Sequence, residues 1–354
     1  MRRYGSVKDI LTAETSDLTE LAKLAGDDDP LDFYTYVNLD SIDVDDAGAR
    51  KLARSLRTMV KDGNPDTALR AEWEERITAF EEQRFGKQRH EDKRDLKPAR
   101  ENFFYRLATA YGEQPEQANL AYYDTALADK NRHFWNRWWY SKFKEGAFST
   151  TKEHSVSTEV QFHAKNIPPL SKQEQRIYKR IIAEVPEPKN LEKIDFSRLH
   201  FTQMLAFEGF FFMCECLFDN STIDRNSDFR NTRFSGDTSF RNAHFNGDTS
   251  FGNARFSGDA IFFDTQFDRN ASFHNTYFSG GAIFFDTQFD RNASFRNARF
   301  SGDTTFFGTH FNGHASFHNA RFNSNASFES TYFKHNTSFK RAHFAYGHPK
   351  DLKL

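Results

Sequence analysis

The stretch AIFFDTQFDRNASF at residues 260–273 recurs letter for letter at residues 282–295, a shift of 22. Working outward from that pair, a Phe, or once Ile223, stands at spacings that alternate five and six from Phe196 to Phe344. Two fives and two sixes make 22, so one turn of chain has four short sides and residues 22 apart lie above one another, about 4.8 Å apart as paired strands require. Twenty-eight anchors on four sides make seven coils. From Thr232 to Ala342 the residue two before each anchor is only Ala or Thr. Each side therefore turns one small and one large residue inward and the flanking residues outward. A fixed period of this kind is the mark of a solenoid whose units bury their apolar face only by stacking. The inward ladder includes Phe240, Phe251, Phe262, Phe273, Phe284, Phe295, Phe306 and Phe317. Ser-Gly-Asp, Asn-Gly-Asp and Asp-Arg-Asn, which hold the sixth residue, read as corners, where Gly, Asn and Asp tolerate left-handed or tight backbone.

The alternation of A/T-x-F-x-x with A/T-x-F-x-G-D/N resembles the pentapeptide-repeat proteins in a Phe-centred variant. The resemblance covers about residues 191–344 and implies a right-handed quadrilateral parallel β-helix with a dry core. The family's usual centre is Leu, so a nearly pure Phe ladder points to a wider coil.

Texture changes near residue 190, which divides the 354 residues into a helical domain of unknown type at 1–190, a β-helix at 191–346 and a tail at 347–354, an α+β multidomain chain. Ser16 and Gly26 bracket one helix; others are expected at about 46–61, 66–84, 98–111, 114–129 and 131–144. A further helix, from Ser171, opens on the capping box Ser171-Lys-Gln-Glu174 and ends before Pro186 and Pro188. Residues 37–44 hold the repeat phase for two units only and read as a loop or short strand.

Net charge is −2, and residues 215–344 hold 13 Lys and Arg against 13 Asp and Glu, which argues against a nucleic-acid partner for the solenoid. Cys214 and Cys216 have no zinc or redox spacing and read as reduced core thiols, in keeping with a cytoplasmic location. The apolar run from Met204 to Phe218 holds Glu208 and Glu215 and keeps the repeat phase, so no membrane is implied.

Three surface features stand out. Ile261, Phe263, Ile283, Phe285, Thr305 and Phe307 flank inward Phe residues on one face of three coils, bordered by Ser239, Arg241, Ser327 and Glu329. Such a patch serves a partner, the chain's own helical domain, or nothing. Arg233, Arg255, Arg299 and Arg321 align with Tyr277 at 22-residue spacing, either to grip anions or to pair with Asp237, Asp259 and Asp303 around the corner. In RHFWNRWWYSKFK, residues 132–144, Phe134, Trp135, Trp138 and Trp139 share a helical face with Arg and Lys around it. They can stack bases or, on the preferred reading, seal the solenoid's open end.

No phosphate loop, H-E-x-x-H, G-x-S-x-G or Cys-His arrangement is present, and the scattered solenoid histidines read as solvated surface. The sequence thus points to a non-enzymatic scaffold without metal or cofactor, presenting its faces to a protein partner and able to form an end-to-end homodimer. The resemblance carries one alternative, a DNA mimic that modulates a type II topoisomerase, for which this neutral rod lacks the charge. Another is a helical enzyme or toxin tethered to a targeting solenoid.

Overall fold

A computed structural model describes residues 96–144 and 167–347, together with Pro349 and Leu352. The helices expected before residue 85 and the fragment at 37–44 lie outside the described residues. The described residues all fall in one compact unit, Asp95–Leu354. The boundary drawn at 190 therefore does not separate the helices after residue 95 from the solenoid.

The solenoid has four parallel sheets, named here as faces in chain order. Face I runs from Lys193–Asp195 to Ala326–Ser327, face II from Leu199–Phe201 to Tyr332–Phe333, face III from Leu205–Ala206 to Thr337–Ser338, and face IV from Phe211–Phe212 to His343–Phe344. Partners across the ladder are 22 residues apart: Ala260 pairs with Ala282, Gln266 with Gln288, and Arg255 with Tyr277. Hydrogen bonds reverse direction between faces. Phe262 N–H donates forward to Ile283 C=O at 2.6 Å, whereas Gln266 N–H donates back to Ala243 C=O at 2.9 Å.

The eight phenylalanines of the inward ladder named above are wholly buried. Rings stacked along a column are nearly parallel, 4.7 Å apart at 1° for Phe262–Phe284 and 4.8 Å at 2° for Phe273–Phe295. Rings on opposite sides meet edge to face, as in Phe262–Phe273 at 5.5 Å and 89°. Offset stacks and edge contacts are the arrangements that aromatic quadrupoles favour, so each ring finds a favourable neighbour in both directions. On faces II and IV, where the small inward residue is Thr, its hydroxyl donates to a carbonyl of the preceding coil, as from Thr276 to Phe251 at 2.8 Å and Thr287 to Phe262 at 2.6 Å. This removes the penalty for a buried hydroxyl.

Corners come in two kinds. At the I–II and III–IV corners of the five-residue spacings, one residue in every eleven is left-handed: Asn242 (φ 53°), Asn253 (58°), Asp264 (53°) and Asn275 (56°). Asn and Asp suit that conformation because their short polar side chains tolerate it. The glycines of the six-residue corners answer a different need. A Cβ at Gly258 would lie 2.7 Å from the Asp237 nitrogen, and one at Gly302 would lie 2.4 Å from the Gly280 oxygen. Close stacking on the coil before, rather than left-handed backbone, selects glycine there.

Among the described residues three α-helices precede the first coils: α1 Phe103–Ala108, α2 Thr125–Lys144 and α3 Lys172–Glu184. Helix α3 carries both bonds of the capping box, Glu174 N–H to Ser171 Oγ at 3.2 Å and Ser171 N–H to Glu174 Oε2 at 2.7 Å. The helix expected at 98–111 begins only at Phe103, because Asn102 caps it by accepting from Tyr105 N–H at 3.0 Å, and Lys97–Pro98 extends face II by pairing with Leu199–His200. The helix expected at 114–129 is absent up to Asp124. The Gln114 side chain bonds both N–H and C=O of Asp124, and the Asp124 carboxylate caps α2 through Leu127 N–H at 2.9 Å. Local side-chain bonds outcompete helix propensity in this segment.

Candidate functional site

The aromatic stretch of α2 closes the N-terminal end of the solenoid. Phe134, Trp135, Trp138 and Trp139 are wholly buried. Trp135 packs on Phe210 and Phe212, while Phe104 of α1 links Trp139 to Phe196. Polar groups of this cap also occupy the free edge of the first coil. Trp135 Nε1 donates to Phe211 C=O at 2.8 Å, Asn136 Oδ1 accepts from Phe211 N–H at 2.9 Å, and Asn102 Nδ2 donates to Asp195 C=O at 2.8 Å. The edge that would template another strand is thus paired. Buried rings with these bonds present no surface for base stacking.

At the other end the tail, which reads in sequence as a poor lid, sends Leu352 into the core, where it is 7% exposed. Phe333, Phe339 and Phe344 of the last coil stay only partly buried.

The outward residues give each face its own chemistry. On face I, Phe263, Phe285 and Phe307 stack on one another outside the coil, at 5.1 Å and 10° and then 4.9 Å and 19°, with Ile261, Ile283 and Thr305 beside them, all half-buried. On face II, carboxylates and histidines bond diagonally between coils, as His200 Nε2 with Asp224 at 2.6 Å and His244 Nε2 with Asp268 at 2.9 Å. The acidic column of face II runs Asp224, Asn246, Asp268, Asp290, Asn312, Lys334, so it is interrupted twice and ends on a cation.

Face IV brings Arg233, Arg255, Tyr277, Arg299 and Arg321 into one column, headed by Phe211, over whose ring the Arg233 guanidinium lies at 5.3 Å. The aspartates expected to pair with this column do other work. Asp237 accepts from Asp259 N–H at 2.9 Å, Asp259 from Gly281 N–H at 2.7 Å, and Asp303 from Asn325 N–H at 3.2 Å. Bonds from Ser324 and Asn325 hold the Asp303 carboxyl below its ordinary pKa. Four residues of sequence turn these carboxylates onto the backbone of the next corner, away from the arginines. Arg299 and Arg321 form no ion pair among the described residues.

One polar cluster has no counterpart in the sequence reading. Asp228, 0% exposed, is paired with Arg230 at 2.6 Å; Arg230 also reaches Glu208 at 3.6 Å and the Tyr123 hydroxyl at 3.3 Å, and that hydroxyl donates to Glu208 at 2.7 Å. Burial and the Glu208 bond push the Tyr123 hydroxyl well above its ordinary pKa. The cluster fastens the segment before α2 onto face III. Its signal in the sequence was Asp228, which stands where later coils carry Ser250, Ser272 and Ser294. At the II–III corner, an open groove of about 380 Å³ is lined by Arg225, Gly247, Arg269, Arg291 and flanking Asp and Asn residues. Cys214 and Cys216 are free, and burial pushes both thiols far up, as for inert core residues. Among the described residues no cluster of His, Cys, Asp and Glu has the makings of a metal site, and no helix is long and apolar enough to cross a membrane.

Residues 218–266 and 262–310 each match the family model described as pentapeptide repeats (9 copies). With the four-sided coils, this match shows that the solenoid belongs to the pentapeptide-repeat family. Searches of curated proteins and of solved structures return no match.

Proposed function

We propose that this protein is a non-enzymatic interaction scaffold in which the solenoid presents face I to a protein partner. The outward stack of Phe263, Phe285 and Phe307 carries the reading. Outward positions of a solenoid are free to be polar, and this column is polar one coil earlier at Arg241 and one coil later at Glu329. Three phenylalanines between such borders form the apolar centre and polar rim that interfaces share. An end-to-end homodimer through the last coil fits the partly buried Phe339 and Phe344. The interrupted acidic column of face II supports a protein scaffold over a DNA-like charge array.

A photo-crosslinking residue at position 285 of the full chain tests the reading. A crosslinked second polypeptide of constant mass, abolished by Ile261→Ser/Ile283→Ser, is the expected result. Crosslinks confined to the chain itself would overturn it.

A further inference from the structure

We propose that faces III and IV, joined at their common corner over the last four coils, form a binding surface for the sugar–phosphate backbone of a single-stranded nucleic acid. Although the solenoid is neutral in sum, its charges are sorted by face. Between residues 249 and 344 all seven carboxylates, Asp259 to Glu329, stand on faces I and II, at their common corner, or at the IV–I corner. Faces III and IV and the corner between them carry none. They hold instead Arg296, Arg299, Arg321, Lys340 and Arg341, all exposed and none with an ion-pair partner among the described residues. Asp259 and Asp303 border face IV on its far side but are turned onto backbone N–H groups of the next corner.

Coil spacing sets the pitch of this array. Core rings beneath the arginine column are 4.9 Å apart from Phe278 to Phe300 and 4.7 Å from Phe300 to Phe322, so cations on successive coils lie within reach of successive phosphates. The III–IV corner between the two faces is a ladder of amides, with Asn275 donating to Asn253, Asn297 to Asn275 and Asn319 to Asn297 at 3.1, 3.0 and 2.8 Å. Each bond fixes the amides in one orientation from coil to coil. Guanidinium forks, amides and hydroxyls are the groups that contact phosphate and sugar.

Two observations favour a single-stranded nucleic acid over an acidic protein. Between residues 249 and 344 the outward positions of faces III and IV include no aliphatic side chain, and a protein interface wants an apolar centre, which this molecule places on face I. The one exposed aromatic residue on this surface, Tyr277, is 36% exposed in the middle of the arginine column, its hydroxyl tied to Ser301 Oγ of the next coil at 3.2 Å. A ring held across the sheet among arginines is a platform on which a base stacks. The surface is distinct from the face I strip, so either proposal survives failure of the other.

The test is fluorescence anisotropy of the full chain with a labelled single-stranded DNA of mixed sequence, about 20 nucleotides long, at salt from about 50 to 200 mM. Neutralising five phosphates at about 0.7 per charge predicts a slope of log K against log salt of about −3.5. Arg296→Gln/Arg299→Gln/Arg321→Gln is expected to weaken binding about tenfold or more and to reduce that slope by about 2. Arg321→Gln alone serves if the triple variant melts early. Arg241→Gln/Arg269→Gln/Arg291→Gln, which removes equal charge from face I and the II–III corner, is expected to leave binding within about twofold, and Tyr277→Ala to weaken single strand more than duplex. The proposal falls if the wild type does not bind at low salt, if the control variant loses as much as the triple variant, or if polyglutamate of equal charge competes as well as DNA does.

Discussion

The two ends of the solenoid solve the same problem unequally. Every coil buries its rings on the coil above and below, so the first and last each leave an apolar disc and a free strand edge. At the N-terminal end three tryptophans cover the disc while Asn102, Trp135 and Asn136 bond the edge. At the C-terminal end Leu352 alone among the described tail residues joins the core, and Phe333, Phe339 and Phe344 remain partly exposed. A repeat array needs its terminal faces covered, and here one end has a built lid while the other, among the described residues, retains partly exposed rings.

Substitutions probe that comparison. The largest effect is expected between the ends: Phe273→Asp places an unpaired carboxylate in the dry core and should abolish cooperative unfolding, while Phe263→Asp, on the outward column, should shift the melting temperature little. Equal losses would reverse the inward and outward assignment. Trp135→Ala at the sealed end removes a buried ring and a bond to the strand edge, a loss of about 3–5 kcal/mol in denaturant titration. Leu352→Ala at the open end should cost about 1–2 kcal/mol, the lesser value marking the looser lid. Should the two prove alike, the ends are equally sealed.

Sedimentation sharpens the same contrast. The wild type is expected to run as a dimer and Phe339→Ser/Phe344→Ser as a monomer, with Phe263→Ser/Phe285→Ser unchanged; a monomeric wild type removes the end-on contact.

The smallest effect concerns acid. Burial raises the pKa of Glu174, but the Ser171 bonds and Arg137 outweigh it and hold the carboxyl below its ordinary value. A carboxylate with a depressed folded pKa adds stability that is present above its unfolded pKa, near 4.5, and is lost as pH falls through the folded value. Glu174→Gln should therefore lower stability at neutral pH by about 1 kcal/mol and flatten its fall on acidification below that pH. An unchanged acid limb would show that the capping box does not titrate with folding.

Much of the solenoid was legible because a 22-residue period leaves each residue one neighbour above and one below, so the columns of Phe240 and Arg255 follow by counting. The helices were less legible. Asn102, Gln114 and Asp124 each had a side-chain bond available that sequence pattern cannot weigh against helix propensity, and three such bonds redrew the elements between residues 98 and 125. Corner chemistry was half legible. Gly, Asn and Asp marked the turns, but left-handed backbone fell to Asn242 and Asn253, while Gly258 and Gly302 answered to the coil beneath.

By itself, then, the sequence determined the period, the inward ladder, the seven coils and the apolar column of face I, because these follow from local alternation repeated at a constant interval. Only the tertiary structure decided that α1 and α2 cap the first coil and that Asp237, Asp259 and Asp303 turn onto the next corner. It also sorted a neutral count of 13 cations and 13 anions into faces of different sign. The reason is physical: caps, corner bonds and surface fields depend on which groups meet across the turn, and a linear count carries no direction.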